Sequence, residues 1–388
     1  MSDKPRLHSA GPTHLDRARD LRPLIESEAA EAEALGRLTD PVVAALHQAG
    51  LFGIWLPAPL GGSELSPSEL LALFEELTYA DASTGWVVMA TTLENGTAGA
   101  YLGDDAVEHI FGGPRTPLFA GQGTRPGTAV REDGGFRLTG RWGFASAMPH
   151  AQYVHSLGVV EGTGEERIFI TPVEDAELLG NWDVLGLRAT GSLDYAIDGV
   201  FVPESRTHPF AQREPLRGGA IYRLGLLDQA LIAHSAWALG LGRRLLDELG
   251  RHVAARAGRP GQLAVSDAFH TGFARAEAAL RAARALVRET WDDVERTLDA
   301  GGTLSTRQET MVRLALNHAT STLTEVAGFA YASGGTTALR DGLLQRLFRD
   351  AHAGAQHITS GPQALRECGR ELAGLAQGEE WTLFTLEP

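Results

Sequence analysis

Trp142, Phe144 and Ser146 alternate along one short stretch of the chain, and side chains of these types could hold a flat heterocycle. The stretch follows Gly134-Gly135, a pair typical of tight hairpin turns, so it is predicted to be a β-strand. Residues two apart on a strand share a face, which would place both aromatic rings and the hydroxyl on one side. A planar ligand with polar edges would fit there. The same pattern also suits a core strand whose buried serine bonds to the backbone.

A second polar segment, residues 181–194, combines an aromatic ring with hydroxyl groups. Its candidate ligand-binding residues are Trp182, Thr190 and Ser192. A loop on a rigid sheet can place such groups around the polar edges of a ligand. Local Asx- or Ser-type bonds within a turn would explain the same composition.

His357 and Glu94 are titratable residues in sequence contexts that suit a catalytic role. His357 follows an arginine-rich helix and Gly354, where a bend would let the imidazole enter a cleft. For this histidine, a purely structural role is the alternative. Glu94 interrupts a largely apolar helical stretch, residues 87–100. A carboxylate there is either at the surface or a buried base with a raised pKa.

The composition of the chain argues against several classes of function. Its formal net charge of −15 disfavours nucleic acid or an anionic membrane as a partner. A single cysteine, Cys368, excludes an intramolecular disulfide framework, and no cluster of ligand residues marks a metal site. No G-x-G-x-x-G motif lies between a strand and a helix, so an NAD fold is not expected. No signal peptide or membrane-spanning apolar run is evident, which predicts a cytoplasmic protein.

Periodicity divides the 388 residues into three regions and predicts an α+β protein. Residues 1–115 carry helical patterns, residues 116–215 carry short alternating segments between Gly, Pro and Asp turns, and residues 216–388 are helical again. The predicted domains are an N-terminal helical domain, a central antiparallel β sandwich and a C-terminal four-helix bundle. The expected strands are Leu118–Gly121, Thr128–Arg131, Phe136–Arg141, Tyr153–Val160, Arg167–Thr171 and Tyr195–Val202.

Three motifs in this order resemble the acyl-CoA dehydrogenase fold. They are G-R-W-x-F-x-S at residues 140–146, W-x-x-x-G-L-R-x-T-G-S-x-D at residues 182–194, and L-Q-R-L-F-R-D-x-H-A at residues 344–353. Together they are similar to one branch, the two-component flavin-dependent monooxygenases, which includes aromatic hydroxylases and dibenzothiophene-type enzymes. Many acyl-CoA dehydrogenases carry a catalytic glutamate just after the third motif. Here that position holds Ile358, and the adjacent His357 matches the histidine of the monooxygenase branch.

The resemblance implies a reaction, a cofactor and an assembly. Reduced FMN or FAD, supplied by a separate flavin reductase, would react with O2 to give a C4a-hydroperoxyflavin that hydroxylates a small aromatic or polycyclic substrate. The implied catalytic residues are His357 and Ser146, which act on the oxygen adduct, and Glu94, which orients or deprotonates the substrate. The implied flavin-binding residues are Trp142, Ser146, Trp182, Thr190, Ser192 and Arg256, the last of which reaches the flavin phosphate from a neighbouring subunit. The fold also implies a homotetramer.

Two other functions are compatible with the same resemblance. One is a flavin dehydrogenase that oxidises acyl thioesters, which would be purified with oxidised FAD bound. The other is a catalytically silent flavin-fold protein that serves as a binding subunit. Flavin binding and the reaction of the bound flavin with oxygen distinguish the three functions.

Overall fold

The computed structural model describes residues 11–259 and 262–387, and in it helices pack around a central sheet. The N-terminal helices are α1 (His14–Leu35), α2 (Asp40–Gln48), α3 (Pro67–Ala80), α4 (Ala82–Tyr101) and α5 (Asp104–Phe111). The strands of the central sheet are β1 (Phe119–Glu132), β2 (Gly135–Ala145), β3 (Tyr153–Val160), β4 (Glu166–Pro172), β5 (Glu177–Leu178), β6 (Leu193–Pro203) and β7 (Thr207–Pro209).

The C-terminal part of the chain returns to helix. It contains α6 (Gly225–Ala254), α7 (Asp267–Asp299), α8 (Thr306–Gly334), α9 (Thr336–Leu339), α10 (Leu343–Gly354) and α11 (Pro362–Leu372), followed by a small hairpin of β8 (Glu380–Thr382) and β9 (Thr385–Glu387). The predicted order of helices, sheet and helices is therefore confirmed.

The central sheet differs from the predicted antiparallel sandwich, because its seven strands form one mixed sheet. Their order is β5-β6-β2-β1-β3-β4-β7, and the β1–β3 pair is parallel while the other pairs are antiparallel. The parallel pair arises because the chain passes a 3-10 turn, Met148–His150, after β2 and returns to the start of β1. There the Leu118 carbonyl accepts the Gln152 N–H at 2.8 Å, and Phe119 lies opposite Tyr153.

A β-bulge near the end of β2 overturns the prediction that Trp142, Phe144 and Ser146 share one face. Trp142 lies opposite Tyr195 and Ala145 opposite Leu193, so β2 has one more residue than β6 between these pairs. Phe144 adopts a positive φ of 63° within the bulge. As a result, the Trp142 side chain is 1% exposed in the sheet core, whereas Phe144 is 67% exposed.

α4 runs through the interior and is almost wholly enclosed. Its N-terminus is capped by Asp81, whose carboxylate accepts the Thr84 backbone N–H at 2.8 Å. Of its 20 residues, 18 are buried, and the two that are partly exposed are Ala90 and Leu93. A helix buried on every side is typical of the centre of a large protein.

α6 lies against α4 and runs in the opposite direction. Trp237 Nε1–H donates to the Ala82 carbonyl at 3.0 Å, near the start of α4. His234, which precedes Trp237 on α6, lies against Trp86, which follows Ala82 on α4. Residues earlier in α6 are therefore placed beside residues later in α4.

The segment Ala220–Ala254, which contains α6, corrects the prediction that no apolar run could span a membrane. By length and composition this segment is apolar enough to do so. However, 83% of its most apolar stretch is buried inside the protein, as expected for the core helix of a large fold.

Candidate active site

An open cleft of about 340 Å³ lies at the surface of the sheet beside the β2 bulge. Phe144 and Trp182 line it and meet edge to face, with ring centroids 6.1 Å apart and an interplanar angle of 89°. Arg125 and Arg141 also line the cleft. Two aromatic rings and two guanidinium groups are suited to a planar ligand that carries a phosphate.

Asp194 holds the backbone of the bulge in place. Its carboxylate accepts the Phe144 N–H at 3.3 Å and the Asn181 side-chain N–H at 2.8 Å. The Asp194 N–H in turn donates to the Asn181 side-chain oxygen at 3.1 Å. These bonds stabilise the unusual φ of Phe144 and join the bulge to the loop that carries Trp182.

Trp142 is among the residues that line this cleft, although its side chain is almost wholly buried in the sheet. Its Nε1–H donates to the Leu157 carbonyl at 2.9 Å, and its ring stacks on Tyr195 at 5.3 Å. Both partners belong to the sheet, so Trp142 packs as a core residue. The aromatic ring that the bulge presents to a ligand is Phe144.

Ser146 belongs to a chain of hydrogen bonds that runs from an indole to a backbone carbonyl. Trp86 Nε1–H donates to Ser146 Oγ at 3.0 Å. The Ser146 and Ser192 hydroxyls are 2.8 Å apart, and those of Ser192 and Thr190 are 2.6 Å apart. Thr190 donates to the Leu187 carbonyl at 2.8 Å, and this bond fixes the direction of the chain. Each hydroxyl donates towards Leu187, so Ser146 keeps one lone pair with which to accept a further bond.

Trp86 joins this hydroxyl chain to a cluster of aromatic side chains. Its ring meets His357 edge to face at 5.6 Å, His234 at 5.1 Å and Trp237 at 5.1 Å. Ser146 and His357, which are 211 residues apart in the chain, therefore contact the same indole. The prediction that the serine after the strand and the histidine after α10 approach each other agrees with this placement.

His357 lies in the turn that follows α10 and is anchored by its own backbone. Its Nδ1 is 2.8 Å from Thr359 Oγ1 and 3.5 Å from the Thr359 backbone N. Because a backbone N–H can only donate, we assign Nδ1 as the acceptor and Nε2 as the protonated nitrogen. Desolvation by the packed rings around it lowers the pKa of His357 to about 4, so the imidazole is neutral at pH 7.

The chain turns after Gly354, where α10 ends, and Gly354 also packs closely against α6. A Cβ atom at this position would lie 2.2 Å from the Trp237 ring. Only glycine lets the end of α10 approach the aromatic cluster so closely. The position of His357 therefore depends on the contact between α10 and α6.

Asp350, on α10, clamps the loop that carries Thr190 and Ser192. Its Oδ1 accepts the Leu187 N–H at 2.7 Å, and Leu187 adopts a φ of 55°. Burial, together with the nearby carboxylate of Asp81, raises the pKa of Asp350 to about 7. The same side chain thus fixes the loop beside Ser146 and belongs to the helix that leads to His357.

Glu94 is buried, which resolves the choice between a surface residue and an interior carboxyl. The side chain is 7% exposed, and its Oε2 has no hydrogen-bond partner in the described part of the chain. Desolvation raises the pKa of Glu94 well above its usual range. It lies eight residues beyond Trp86 on α4, about 12 Å along the helix, so it does not join the cluster of Ser146 and His357.

Arg256 lies far from these residues within one chain. It follows the end of α6 at Ala254, which is 20 residues beyond His234, or about 30 Å at the helical rise. The arginine is exposed, and its Nη1 is 3.4 Å from His252 Nε2. Arg256 therefore does not join the cluster of Ser146 and His357 within its own chain.

Comparison with known proteins decides the family. Residues 18–107 match the model "Acyl-CoA dehydrogenase, N-terminal domain", and residues 232–361 match "Acyl-CoA dehydrogenase, C-terminal domain". In the sequence, the two matched segments come before and after the strands of the sheet. Together they cover more than half of the chain. The chain belongs to the acyl-CoA dehydrogenase family.

Several relatives of this chain are named as monooxygenases, which confirms the predicted branch, the flavin-dependent monooxygenases. An indole-3-acetate monooxygenase of Pseudomonas putida is 29% identical over 349 residues, covering 86% of each chain. The flavin-dependent monooxygenase oxygenase subunit HsaA of Rhodococcus jostii is 28% identical and covers 88% of this chain and 93% of its own. The crystal structure of the 3-HSA hydroxylase from Rhodococcus sp. RHA1 aligns with a TM-score of 0.88 at 27% identity, over 94% of this chain and 97% of the other.

Three side chains at the candidate active site were not among the site residues predicted from the sequence. Phe144 was visible in the strand motif, but the bulge that exposes it depends on pairing with β6. Trp86 follows the capped start of α4, and that context was its only signal in the sequence. His234 lies in an apolar helical run with no motif, so only the packing of α6 against α10 places it at the site.

Proposed function

We propose that this protein is the oxygenase component of a flavin-dependent monooxygenase that hydroxylates a small aromatic substrate with reduced FMN or FAD and O2. The observation that carries the proposal is that Ser146 and His357 contact the same indole, Trp86, and that Phe144, two residues before Ser146, is exposed. A hydroxyl and a neutral imidazole that share one indole can hold the polar edge of a ring and move protons there.

The cleft beside the bulge fits a flavin in shape and chemistry. Phe144 supplies a free aromatic face next to Trp182, while Arg125 and Arg141 supply cations for a phosphate. Ser146, two residues beyond Phe144, has a lone pair that suits an N–H such as the one at the N5 edge of a reduced flavin. When bound, a reduced flavin supplies two electrons to O2, so that one oxygen atom enters the substrate and the other leaves as water.

His357 is suited to handle protons at this site. Its Nε2–H is a donor held in place by the Thr359 anchor on Nδ1, and the ring stays neutral because its pKa is lowered to about 4. Trp86 and His234 pack against the imidazole and limit the access of water. Ser146 orients the ring edge, and Thr190 and Ser192 orient Ser146. We assign Glu94 to contact with the substrate.

The proposal includes partners and an assembly. Relatives named as an oxygenase subunit or oxygenase component work with a second component, and we propose a separate flavin reductase for this protein. We also propose a cytoplasmic homotetramer in which Arg256 contacts the flavin phosphate of a neighbouring subunit. Supporting this, Arg256 is exposed and lies beyond the end of α6, about 30 Å along the helix from His234.

The reaction of the His357→Ala variant tests the proposed role of the imidazole. The assay contains reduced FMN, O2 and a compound that the unaltered protein hydroxylates. We expect the yield of product per O2 consumed to fall at least about tenfold in the variant, with hydrogen peroxide released instead. Flavin oxidation should continue, because the electrons still reach oxygen. Product by chromatography and peroxide by a peroxidase assay give the ratio.

A matched control is His352→Ala, since His352 lies on α10 against Phe348 and away from Trp86. This variant should couple oxygen to product as the unaltered protein does. Full coupling in the His357→Ala variant would remove His357 from the chemistry.

A further inference from the structure

His234 is the second imidazole of the aromatic cluster, and its environment differs from that of His357. The two rings stack with centroids 4.2 Å apart and an interplanar angle of 27°. Trp86 meets His234 edge to face at 5.1 Å. These contacts position the ring of His234 through its faces. Among the residues that the structure describes, none forms a hydrogen bond with its nitrogens, whereas Nδ1 of His357 is held by Thr359.

The exposure of neighbouring residues shows that His234 is open to solvent on one side. His234, Ala230 and Leu227 are partly exposed, and their spacing places them on one face of the otherwise buried N-terminal half of α6. On α4 the only partly exposed residues are Ala90 and Leu93, one and two turns beyond Trp86.

The antiparallel packing of α4 and α6 brings these two rows of residues together. The contact of His234 with Trp86 sets the register, and the helical rise then puts Ala90 level with Ala230 and Leu93 level with Leu227. These four partly exposed residues form an apolar row along the two helices. His234 and Trp86 lie at one end of this apolar row.

The charge state of His234 makes its edge an acceptor. Desolvation lowers the pKa of His234 well below its usual range, and the neighbouring His357 lowers it further. A neutral imidazole carries one nitrogen with a free lone pair. Burial raises the pKa of Glu94, which favours the protonated carboxyl, a donor rather than an acceptor.

We propose that His234 is a specificity-determining residue that accepts a hydrogen bond from a ring N–H or O–H of an uncharged aromatic substrate entering between α4 and α6. This inference rests on the proposed function and adds a substrate class to it. The observation that carries the inference is a partly exposed imidazole, stacked on His357 and without a hydrogen-bond partner among the described residues, at the end of the apolar row. Neither Trp86 nor the apolar side chains of the row can accept such a bond, so His234 is the acceptor that its residues offer.

The test compares two probes of nearly equal shape, indole, which has a ring N–H, and benzothiophene, which has none. The full-length protein is saturated with reduced FMN without oxygen, and the dissociation constant of each probe is measured by equilibrium dialysis. We expect indole to bind about tenfold more tightly than benzothiophene, relative to their partition between water and octanol. His234→Phe, which keeps the stack on His357 but removes the nitrogens, should reduce this ratio to about one.

Two further variants are measured in the same way, one as a control and one as a replacement if His234→Phe does not fold. His352→Phe is the matched control and should leave the ratio unchanged, because His352 packs on Phe348 instead. His234→Leu should lose the discrimination as His234→Phe does, and it serves if the larger ring prevents folding. A ratio of the two dissociation constants that is unchanged in a folded His234 variant would overturn the inference. So would a ratio of one in the unaltered protein. The inference would also fail if the preference for indole were lost in Glu94→Gln but not in the His234 variants.

Failure of the proposed function gives a different result in the same samples. If the unaltered protein binds neither reduced FMN nor reduced FAD, the proposed function fails, and this inference fails with it. If reduced FMN binds but indole is not distinguished from benzothiophene, only the role of His234 is overturned.

Discussion

At the scale of single residues, Phe144 combines a positive φ with an exposed aromatic ring. A phenylalanine at a φ of 63° is strained, and this one exposes 67% of its surface instead of packing. Asp194 and the edge of Trp182 hold it in that position. Strained backbone that points an aromatic ring into a cleft is typical of binding sites.

We therefore expect Phe144→Ala to weaken the binding of reduced FMN about tenfold, because loss of an aromatic stacking partner costs about 1 kcal/mol or more. The free energy of unfolding should change little, since the ring is not packed. An anaerobic titration followed by absorbance measures the affinity. Phe201→Ala is the control: Phe201 is 41% exposed on the same sheet but lies on β6 opposite Arg137, away from the cleft.

If Phe144→Ala and Phe201→Ala bind reduced FMN equally well, the cleft beside the bulge is not the flavin site. The sequence motif could predict that an aromatic residue in this stretch meets a ligand. It could not predict which one, because alternation along a strand fails at a bulge. The bulge is set by the pairing of β2 with β6, some 50 residues later in the chain.

At the scale of elements, α10 positions the site through two contacts. Gly354 allows the helix end to approach Trp237, which delivers His357 to the cluster. Asp350, one turn earlier, binds the Leu187 N–H and fixes the loop that carries the hydroxyls beside Ser146. One helix thus sets the relative position of the histidine and the serine.

The buried Asp350 makes the stability of the protein depend on pH. Its pKa is about 7 in the folded protein and about 4 in an unfolded chain, so between these values the folded state keeps a proton that the unfolded state releases. The contribution of this group to stability therefore falls as pH rises from 4 to 7 and is constant above. Asp350→Asn keeps the acceptor for Leu187 but cannot ionise.

We expect Asp350→Asn to become more stable relative to the unaltered protein by ~1–3 kcal/mol between pH 4.5 and pH 7.5. Urea unfolding at the two pH values gives the difference. Asp183→Asn, an exposed residue on the same loop, should show no such change with pH. A difference for Asp350→Asn that does not vary with pH would mean that the carboxyl is already ionised at pH 4.5.

The elements themselves were largely predictable, and their contacts were not. The caps and periodicity of α4 are visible in the sequence, as is the strand Tyr153–Val160, which has the predicted bounds. The parallel pairing of β3 with β1 depends on a chain reversal at Met148–His150, which local patterns do not reveal. His234 and Trp86 were missed for the same reason, since they become neighbours only when α6 packs against α4 and α10.

At the scale of the whole molecule, the site exists because three parts of the fold meet at Trp86. The sheet contributes Ser146, the N-terminal helices contribute Trp86 itself, and the C-terminal helices contribute His234 and His357. The motifs that resemble flavin-dependent monooxygenases belong to the first and last of these parts. The resemblance predicted that Ser146 and His357 act together. The packing of α4 places Trp86, the indole that both of them contact.

The central claim is that these parts together hold a reduced flavin and control its reaction with oxygen. The most direct test is to saturate the full-length protein with reduced FMN without oxygen, mix it rapidly with O2 and record the absorbance spectrum over time. We predict a long-lived spectrum distinct from those of reduced and oxidised FMN before oxidised FMN appears. Oxidation in a single step, at the rate of free reduced FMN, would contradict the account.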